Sequence, residues 1–206
     1  MLAYPILLDV TTVRTVIVGG GGVGRRKAAG LIDAGATKVT VVSPTPLDGF
    51  PTPVRHVAAT YTPRVLADAR LVFAATNDPA VNAAVVVDAR AIGALACRAD
   101  AGEDGPGDFV TPALLRDGPI TITVSAGSAA LTSAIRDGLR GRLDPRWAKM
   151  ADAMATLRPL LRDRLPAAAR PAAFRKLATD VAFDVLESDG AVGLLAWLEA
   201  NRRPTS

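Results

Sequence analysis

A single cysteine, Cys97, and a single histidine, His56, stand in 206 residues. That scarcity excludes an internal disulfide, any Cys-x-x-Cys metal or redox motif and the histidine-rich metal sites. Aromatic residues make up only 4% of the chain, which leaves little for a base-stacking platform. No apolar run approaches the ~18 residues of a membrane span, and residues 1–10 have neither a basic start nor a cleavable apolar segment, so a soluble, cytoplasmic protein is expected. What is abundant is apolar residues, 50% of the total, ample for one large or two small domains. Chemistry here must rest on carboxylates, hydroxyls, backbone groups and cations.

The net charge of +4 is unevenly spread. Between 146 and 176 stand eight Lys or Arg (146, 149, 158, 162, 164, 170, 175 and 176) against Asp152 and Asp163. Such a stretch attracts polyanions. With only Trp147 and Phe174 as aromatics and no recognised nucleic-acid motif, no nucleic acid partner is expected. A small molecule bearing many carboxylates and a merely solvated helix face remain open.

One segment carries a chemical signature. The apolar residues 15–18 run into Gly19-x-Gly21-x-x-Gly24, and a helical pattern follows to Ala34, closed by Gly35. A strand, a glycine-rich turn and a helix in that order make a dinucleotide site: Gly19 for the tight turn, Gly21 for close approach of a pyrophosphate, Gly24 for helix-on-strand packing. Further strands are predicted at 38–43, 54–58, 70–75, 94–98 and 119–125, with helices at 22–34, 63–69, 79–92 and 129–142. This alternation predicts an α/β fold with a doubly wound parallel sheet. Its ligand crevice would lie at the carboxyl ends of the strands. Past Asp144 the pattern is helical only, with Pro145, Pro159, Pro166 and Pro171 expected to divide it into short helices and Met150, Met154, Leu157 and Leu161 to face a core.

About 20 residues beyond the glycines, where NAD sites offer a carboxylate and NADP sites an arginine, the chain has Ser43-Pro44-Thr45. Charge does not decide the cofactor; the absence of Arg or Lys until Arg55 inclines the reading to NAD.

Several segments in order then carry a resemblance: Tyr4-Pro5-Ile6-Leu7-Leu8-Asp9; the glycine turn running to Arg25-Arg26-Lys27; Val41-Val42-Ser43-Pro44; Ala74-Ala75-Thr76-Asn77-Asp78 with Asn82; Asp108-Phe109-Val110-Thr111-Pro112-Ala113; and Gly118-Pro119 before the strand ending at Ser125. Together they resemble the precorrin-2 dehydrogenase/sirohydrochlorin ferrochelatase family, also the amino-terminal half of fused sirohaem synthases. The resemblance covers about residues 3–180. It implies NAD-dependent oxidation of precorrin-2 to sirohydrochlorin, in some members insertion of Fe(II), and a homodimer. The parts implied are a Rossmann-type NAD-binding domain over 1–112, a dimerisation region over 113–144 and a C-terminal helical domain over 145–206.

For individual residues, the resemblance implies cofactor contacts at Gly19, Gly21, Gly22, Val23, Gly24, Ser43, Pro44, Thr76, Asn77 and Asp78, although Asp78 is equally placed to cap the next helix. It implies a catalytic carboxylate at Asp100, where the family's Asn-x-x-Asp reads Cys97-Arg98-Ala99-Asp100. Dehydrogenation sends a hydride to the nicotinamide and a proton to a base, so a carboxylate at a strand's carboxyl end suits it; a turn or capping aspartate is the plain alternative. The family's Ser-Thr/Ser-Gly-Gly-x-Ser-Pro becomes a shorter Ser125-Ala126-Gly127-Ser128-Ala129 here, with Ser128 as a cap and Ser125, Gly127 and Ser128 facing substrate. Precorrin-2 carries eight carboxylates, which gives Arg158, Arg162, Arg170 and Arg175 candidate partners, Arg158 and Arg162 foremost.

Residues 100–108, with Glu103, Asp104 and Asp108, form an acidic, glycine-rich loop read as a solvated turn and not as a metal site. Arg25, Arg26 and Lys27 fall at the start of a helix, where an anion or plain solvent would serve them equally. His56 and Cys97 read as structural. Two other functions stay open: a tetrapyrrole metal chelatase without oxidation, and a non-catalytic NAD sensor.

Overall fold

Strand β1 (Thr15–Val18) is buried at every position and lies in the middle of a parallel sheet. With β2 (Val39–Val42), β3 (Arg55–Val57), β4 (Leu71–Ala74) and β5 (Leu95–Arg98) it gives the order β3-β2-β1-β4-β5. Strand order thus reverses direction between β1 and β4, the place where open α/β sheets bind ligands. The computed structural model describes residues 4–100, 105 and 107–201, and the chain divides into two units, Met1–Thr111 and Pro112–Ser206. Glu103 and Asp104 of the acidic loop lie outside the described residues.

In the first unit, strands covered on both faces read as nearly continuous apolar runs, with only Thr15 and Thr40 as buried polar residues in β1 and β2, instead of alternating ones. Val16, Val18, Val42, Val72 and Ala74 pack with Val85, Val86 and Ala89 of α2 (Pro79–Ala91), and Ile17, Val41, Leu71 and Phe73 pack with Ala28 and Leu31 of α1 (Gly22–Asp33). Each helix therefore covers one face. Gly35, at φ 85°, ends α1: its N–H bonds Ile32 O at 2.9 Å while the next N–H, of Ala36, bonds Leu31 O at 2.9 Å. Over 63–69 the expected helix is only a 3₁₀ turn, Pro63–Leu66, after which Asp68 takes φ 60°.

The strand predicted at 119–125 is not part of the parallel sheet. It is β7 (Ile120–Val124), paired antiparallel with β6 (Ala113–Asp117), a strand the sequence pattern does not predict. Gly118, at φ 52°, opens the two-residue loop between them, the position where such hairpins need positive φ. Behind this hairpin come α3 (Ala129–Arg140), α4 (Arg146–Arg164), α5 (Arg170–Leu177) and α6 (Asp180–Ala200).

Met150, Leu157, Leu161, Leu177, Phe183, Leu194 and Leu198 form the second unit's core. Pro159 does not break α4 as expected. It sits on the exposed face of an unbroken 19-residue helix while Leu157 and Leu161 on the other face are 2% exposed. A proline inside a helix costs about 3 kcal/mol, and two buried leucines at about 1.5–3 kcal/mol each offset it. Pro166 does fall at a break, between α4 and α5, and a further interruption inside α6 is at Gly190, with φ 67° and ψ −167°. Among the described residues, no helix is long and apolar enough to cross a membrane.

Candidate cofactor and active site

The turn after β1 is built by steric necessity. Gly19 has φ 120°, and a Cβ there would meet the Ala75 carbonyl oxygen at 2.3 Å and the Thr76 nitrogen at 2.9 Å. A Cβ on Gly24 would meet the Gly19 carbonyl oxygen at 2.2 Å and Ile17 Cγ2 at 3.4 Å, so α1 can lie this close to β1 only without a side chain. Gly21 differs: nothing lies within 4 Å of the place its Cβ would take. It is the N-cap of α1, no side chain caps that end, and the first turn holds no acidic residue. Free backbone N–H groups, the positive helix end and open space above Gly21 fit a dinucleotide pyrophosphate. Gly22 and Val23 supply the first-turn N–H groups of this cradle.

From Gly19 a chain of contacts leads to the predicted carboxylate. Asn82, wholly buried in α2, accepts from Thr76 N at 3.0 Å and Thr76 Oγ1 at 2.8 Å through its oxygen, and donates through Nδ2 to Thr76 O at 3.1 Å and Asp100 Oδ2 at 3.0 Å. All four hydrogen-bonding positions of its amide are filled. Arg98, 8% exposed, donates from Nε to Asp100 Oδ1 at 2.6 Å and from Nη2 to Asp100 Oδ2 at 3.2 Å and Pro79 O at 3.2 Å. Asp100 is thereby held from two sides with a quarter of its side chain still open to solvent. The Arg98 guanidinium keeps the Asp100 carboxyl below its ordinary value; desolvation opposes this, and Asn82 adds to the lowering. The site presents a fixed, ionised carboxylate beside the switch point of the sheet.

The remaining predicted residues divide between surface, caps and supports. Ser43, at the end of β2, is 2% exposed; its hydroxyl lies 3.0 Å from Thr45 Oγ1 and accepts from Thr45 N, and a Cβ on Gly20 would meet it at 2.5 Å. Pro44 and Asn77 are exposed. Asp78 caps α2, accepting from Ala80 N at 2.8 Å and Val81 N at 3.3 Å. Ser128 is the N-cap of α3 in position only, since its side chain makes no capping bond; Thr132 Oγ1 instead accepts from Ala126 N at 3.1 Å. Ser125 and Gly127 are exposed in that loop.

Arg158 and Arg162 line a groove of about 430 Å³ with Arg170 and Phe174. Arg158 lies 5.0 Å from the Phe174 ring, and Arg170 is committed to closing α4, donating to Arg162 O and Leu165 O. Arg175 is exposed.

Lys27 departs from one of the readings given to it. It is half-buried, donates to Thr111 Oγ1 and lies 5.9 Å from the Phe73 ring, so it is not a plainly solvated cation. Burial lowers its pKa, while burial raises that of Cys97, a pull that Lys27 partly opposes. Asp108, read as part of a solvated acidic turn, instead bonds the edge of β5 at Ala96 N (2.9 Å) and pairs with Arg90 (2.8 Å). His56 Nε2 lies 3.0 Å from Ser43 O, a structural contact. Sequence reasoning missed Arg98 and Asn82 as the groups that position Asp100; the one signal was a buried-strand arginine two residues from a carboxylate.

Residues 6–113, just over half of the chain, match the family model described as "Putative NAD(P)-binding". The chain belongs to that NAD(P)-binding family. Among curated proteins it is 35% identical over 161 residues to a siroheme synthase of Gluconacetobacter diazotrophicus, covering 74% of this chain and 33% of that one. It is 31% identical over 170 residues to a siroheme synthase of Chromobacterium violaceum, covering 79% and 36% respectively. This NAD(P)-binding chain thus spans about a third of the length of the relatives it matches. A solved structure titled "SirC, precorrin-2 dehydrogenase" superposes with a TM-score of 0.76 over 96% of this chain and 100% of that one, at 21% identity. The two share a fold.

Proposed function

We propose that the chain catalyses NAD-dependent dehydrogenation of precorrin-2 to sirohydrochlorin, in the cytoplasm and as a homodimer. The observation that carries this reading is the unbroken line from the glycine turn through Thr76 and Asn82 to an anchored, ionised Asp100. Family membership supports a nicotinamide cofactor, and the relatives' printed names support a tetrapyrrole substrate. Bound at the turn, the nicotinamide supplies the hydride acceptor. Gly19, Gly21, Gly22, Val23 and Gly24 hold its phosphates; Ser43 and Pro44, neither of them charged, bound the ribose side; Thr76, Asn77 and Asp78 border the nicotinamide. Asp100 accepts the proton lost as the hydride departs. Its lowered pKa makes it a brief carrier that passes the proton to water.

Carboxylate arms of the substrate fall to Ser125, Gly127 and Ser128 and to Arg158 and Arg162. The Ser128 hydroxyl has no partner among the described residues, and two of the groove's three arginines keep their guanidinium groups off the main chain. Mixing purified protein with precorrin-2 and NAD is expected to yield NADH and sirohydrochlorin, with tighter binding of NAD than of NADP. Arg158→Glu with Arg162→Glu is expected to raise KM for the tetrapyrrole ~10-fold at unchanged NAD affinity. An NAD-binding protein that leaves precorrin-2 untouched would instead be a sensor.

The Asp100 carboxylate, a quarter open to solvent, also suits escort of a metal cation, which favours Fe(II) insertion as a second activity. Metal-dependent spectral change of sirohydrochlorin without NAD is its test; no change on adding Fe(II) removes it.

The homodimer rests on α3, which buries none of its residues and shows Leu131, Ile135 and Leu139, one turn apart along a single face, at 51%, 39% and 38% exposure. Leu114 of β6 adds another exposed side chain at 38%. Ile135→Glu is expected to convert a dimer into a monomer in sedimentation analysis, and a wild-type monomer would contradict the assembly.

A further inference from the structure

At the amino-terminal edge of the parallel sheet, opposite the cofactor crevice, a cavity of about 520 Å³ is lined by Arg14, Thr37, Lys38, Thr40, Thr52 and Arg55 with apolar walls from Val39, Pro53 and Val54. The topology forces its cations together. Arg14 immediately precedes β1, Lys38 immediately precedes β2, and Arg55 begins β3, opposite Thr40. Neighbouring strands lie about 4.8 Å apart and rise about 3.3 Å per residue, so the three backbone positions fall within roughly 12 Å. None of the lining side chains is acidic, and none of the three cations has an ion-pair partner among the described residues. Arg14 Nε is buried without an acceptor among them.

Three like charges around one cavity repel, and a buried guanidinium N–H without an acceptor loses its hydration with no return. Both penalties vanish if a multiply charged anion occupies the space, because it accepts several N–H and O–H bonds while neutralising the cations. The hydroxyls of Thr40 and Thr52 are further donors at the same wall. No aromatic side chain lines the cavity, so nothing there recognises a base or a ring.

We propose that this cavity binds a phosphate-class oxyanion, either inorganic phosphate or the phosphoryl group of a small phosphomonoester. The site is separate from the glycine turn, which lies at the other end of the same strands, and it stands whether or not the chain oxidises a tetrapyrrole.

Calorimetric titration at constant ionic strength tests it, with inorganic phosphate and glycerol 3-phosphate as probes, potassium chloride as control, and each run with and without NAD. Saturable binding is expected for at least one phosphate probe, undiminished by NAD, and weakened ~10-fold or more by Arg55→Gln and by Lys38→Gln. Both substituted positions are exposed, so the variants are expected to fold and to keep wild-type NAD affinity. The tighter of the two probes identifies the source of the phosphoryl group. Absence of saturable binding, displacement of phosphate by NAD, or wild-type phosphate affinity in both variants overturns the proposal.

Discussion

Gly24→Val is expected to abolish measurable NAD binding and to lower the melting temperature, whereas Gly21→Ala is expected to weaken NAD binding ~10-fold or more with no change in melting temperature. The contrast follows from what each new side chain meets. At Gly24 even the first carbon would sit 2.2 Å from the Gly19 carbonyl oxygen, a backbone atom of the turn itself. Relief requires α1 to move off β1 or the turn to open, and either change displaces the N–H groups that face the phosphates. Overpacking of this kind costs about 1–3 kcal/mol or more, equivalent to a loss of roughly 2–10 °C in a chain of this size. At Gly21 the φ is an ordinary −79° and nothing lies within 4 Å, so the fold has no objection to alanine. The added methyl would occupy only the space claimed by the pyrophosphate. Calorimetric NAD titration beside thermal melts checks both variants; Gly21→Ala binding NAD as tightly as the wild type would remove the phosphates from this turn.

Gly24 was legible because its constraint is local. A strand, a turn and a helix contiguous in sequence meet at one point, and their residue pattern announces each part. The same holds for β1, β2 and β4, buried at every position and built from apolar and β-branched residues without charge, and for the end of α1 at Gly35. Where partners come from elsewhere, pattern failed. Residues 113–117, Ala-Leu-Leu-Arg-Asp, contain no β-branched side chain and are extended only because β7 pairs with them. Pro159 reads as a helix breaker until the buried leucines on the far side of α4 are seen to hold the helix through it. Lys27, third in a basic run, looks solvated in sequence and is drawn toward Phe73 and Thr111 by the fold.

The candidate site divides in the same way. Asp100 could be singled out from its place after a strand, but its electrostatics could not, because they depend on the orientation of Arg98 and on an asparagine 18 residues earlier on another element. Asn82 and Thr76 satisfy each other through three hydrogen bonds, an arrangement invisible without the turn between β4 and α2. Two of the hydroxyl-bearing positions singled out as ligands, Ser43 and Ser128, illustrate the converse. A serine at a strand end or helix start has both a ligand-facing and a backbone-facing role open to it, and only the fold shows Ser43 engaged by Thr45 while Ser128 leaves its capping bond unmade.

Asp100→Asn is expected to reduce kcat for precorrin-2 oxidation by ~10²–10⁴, the usual range for a positioned proton acceptor, with NAD affinity unchanged within about two-fold. The asparagine keeps the size of the side chain and one oxygen for Arg98, so loss of rate with intact cofactor binding separates proton transfer from folding. Arg98→Met supplies a readout that a purely structural role would not move. In the wild type the Asp100 pKa is depressed, chiefly by Arg98, so the ion pair stabilises the fold above the ordinary carboxylate pKa of about 4 and that contribution disappears as pH falls through the lower folded value. The acid limb that Asp100 imposes on kcat/KM therefore lies below the usual carboxylate range. Removing the guanidinium removes the largest cause of the lowering and leaves desolvation acting upward, so the acid limb of Arg98→Met is expected to shift to higher pH. An Arg98→Met profile superimposable on the wild type would show that Asp100 does not titrate in the rate-determining step. Full turnover by Asp100→Asn would return the residue to the role of a turn aspartate.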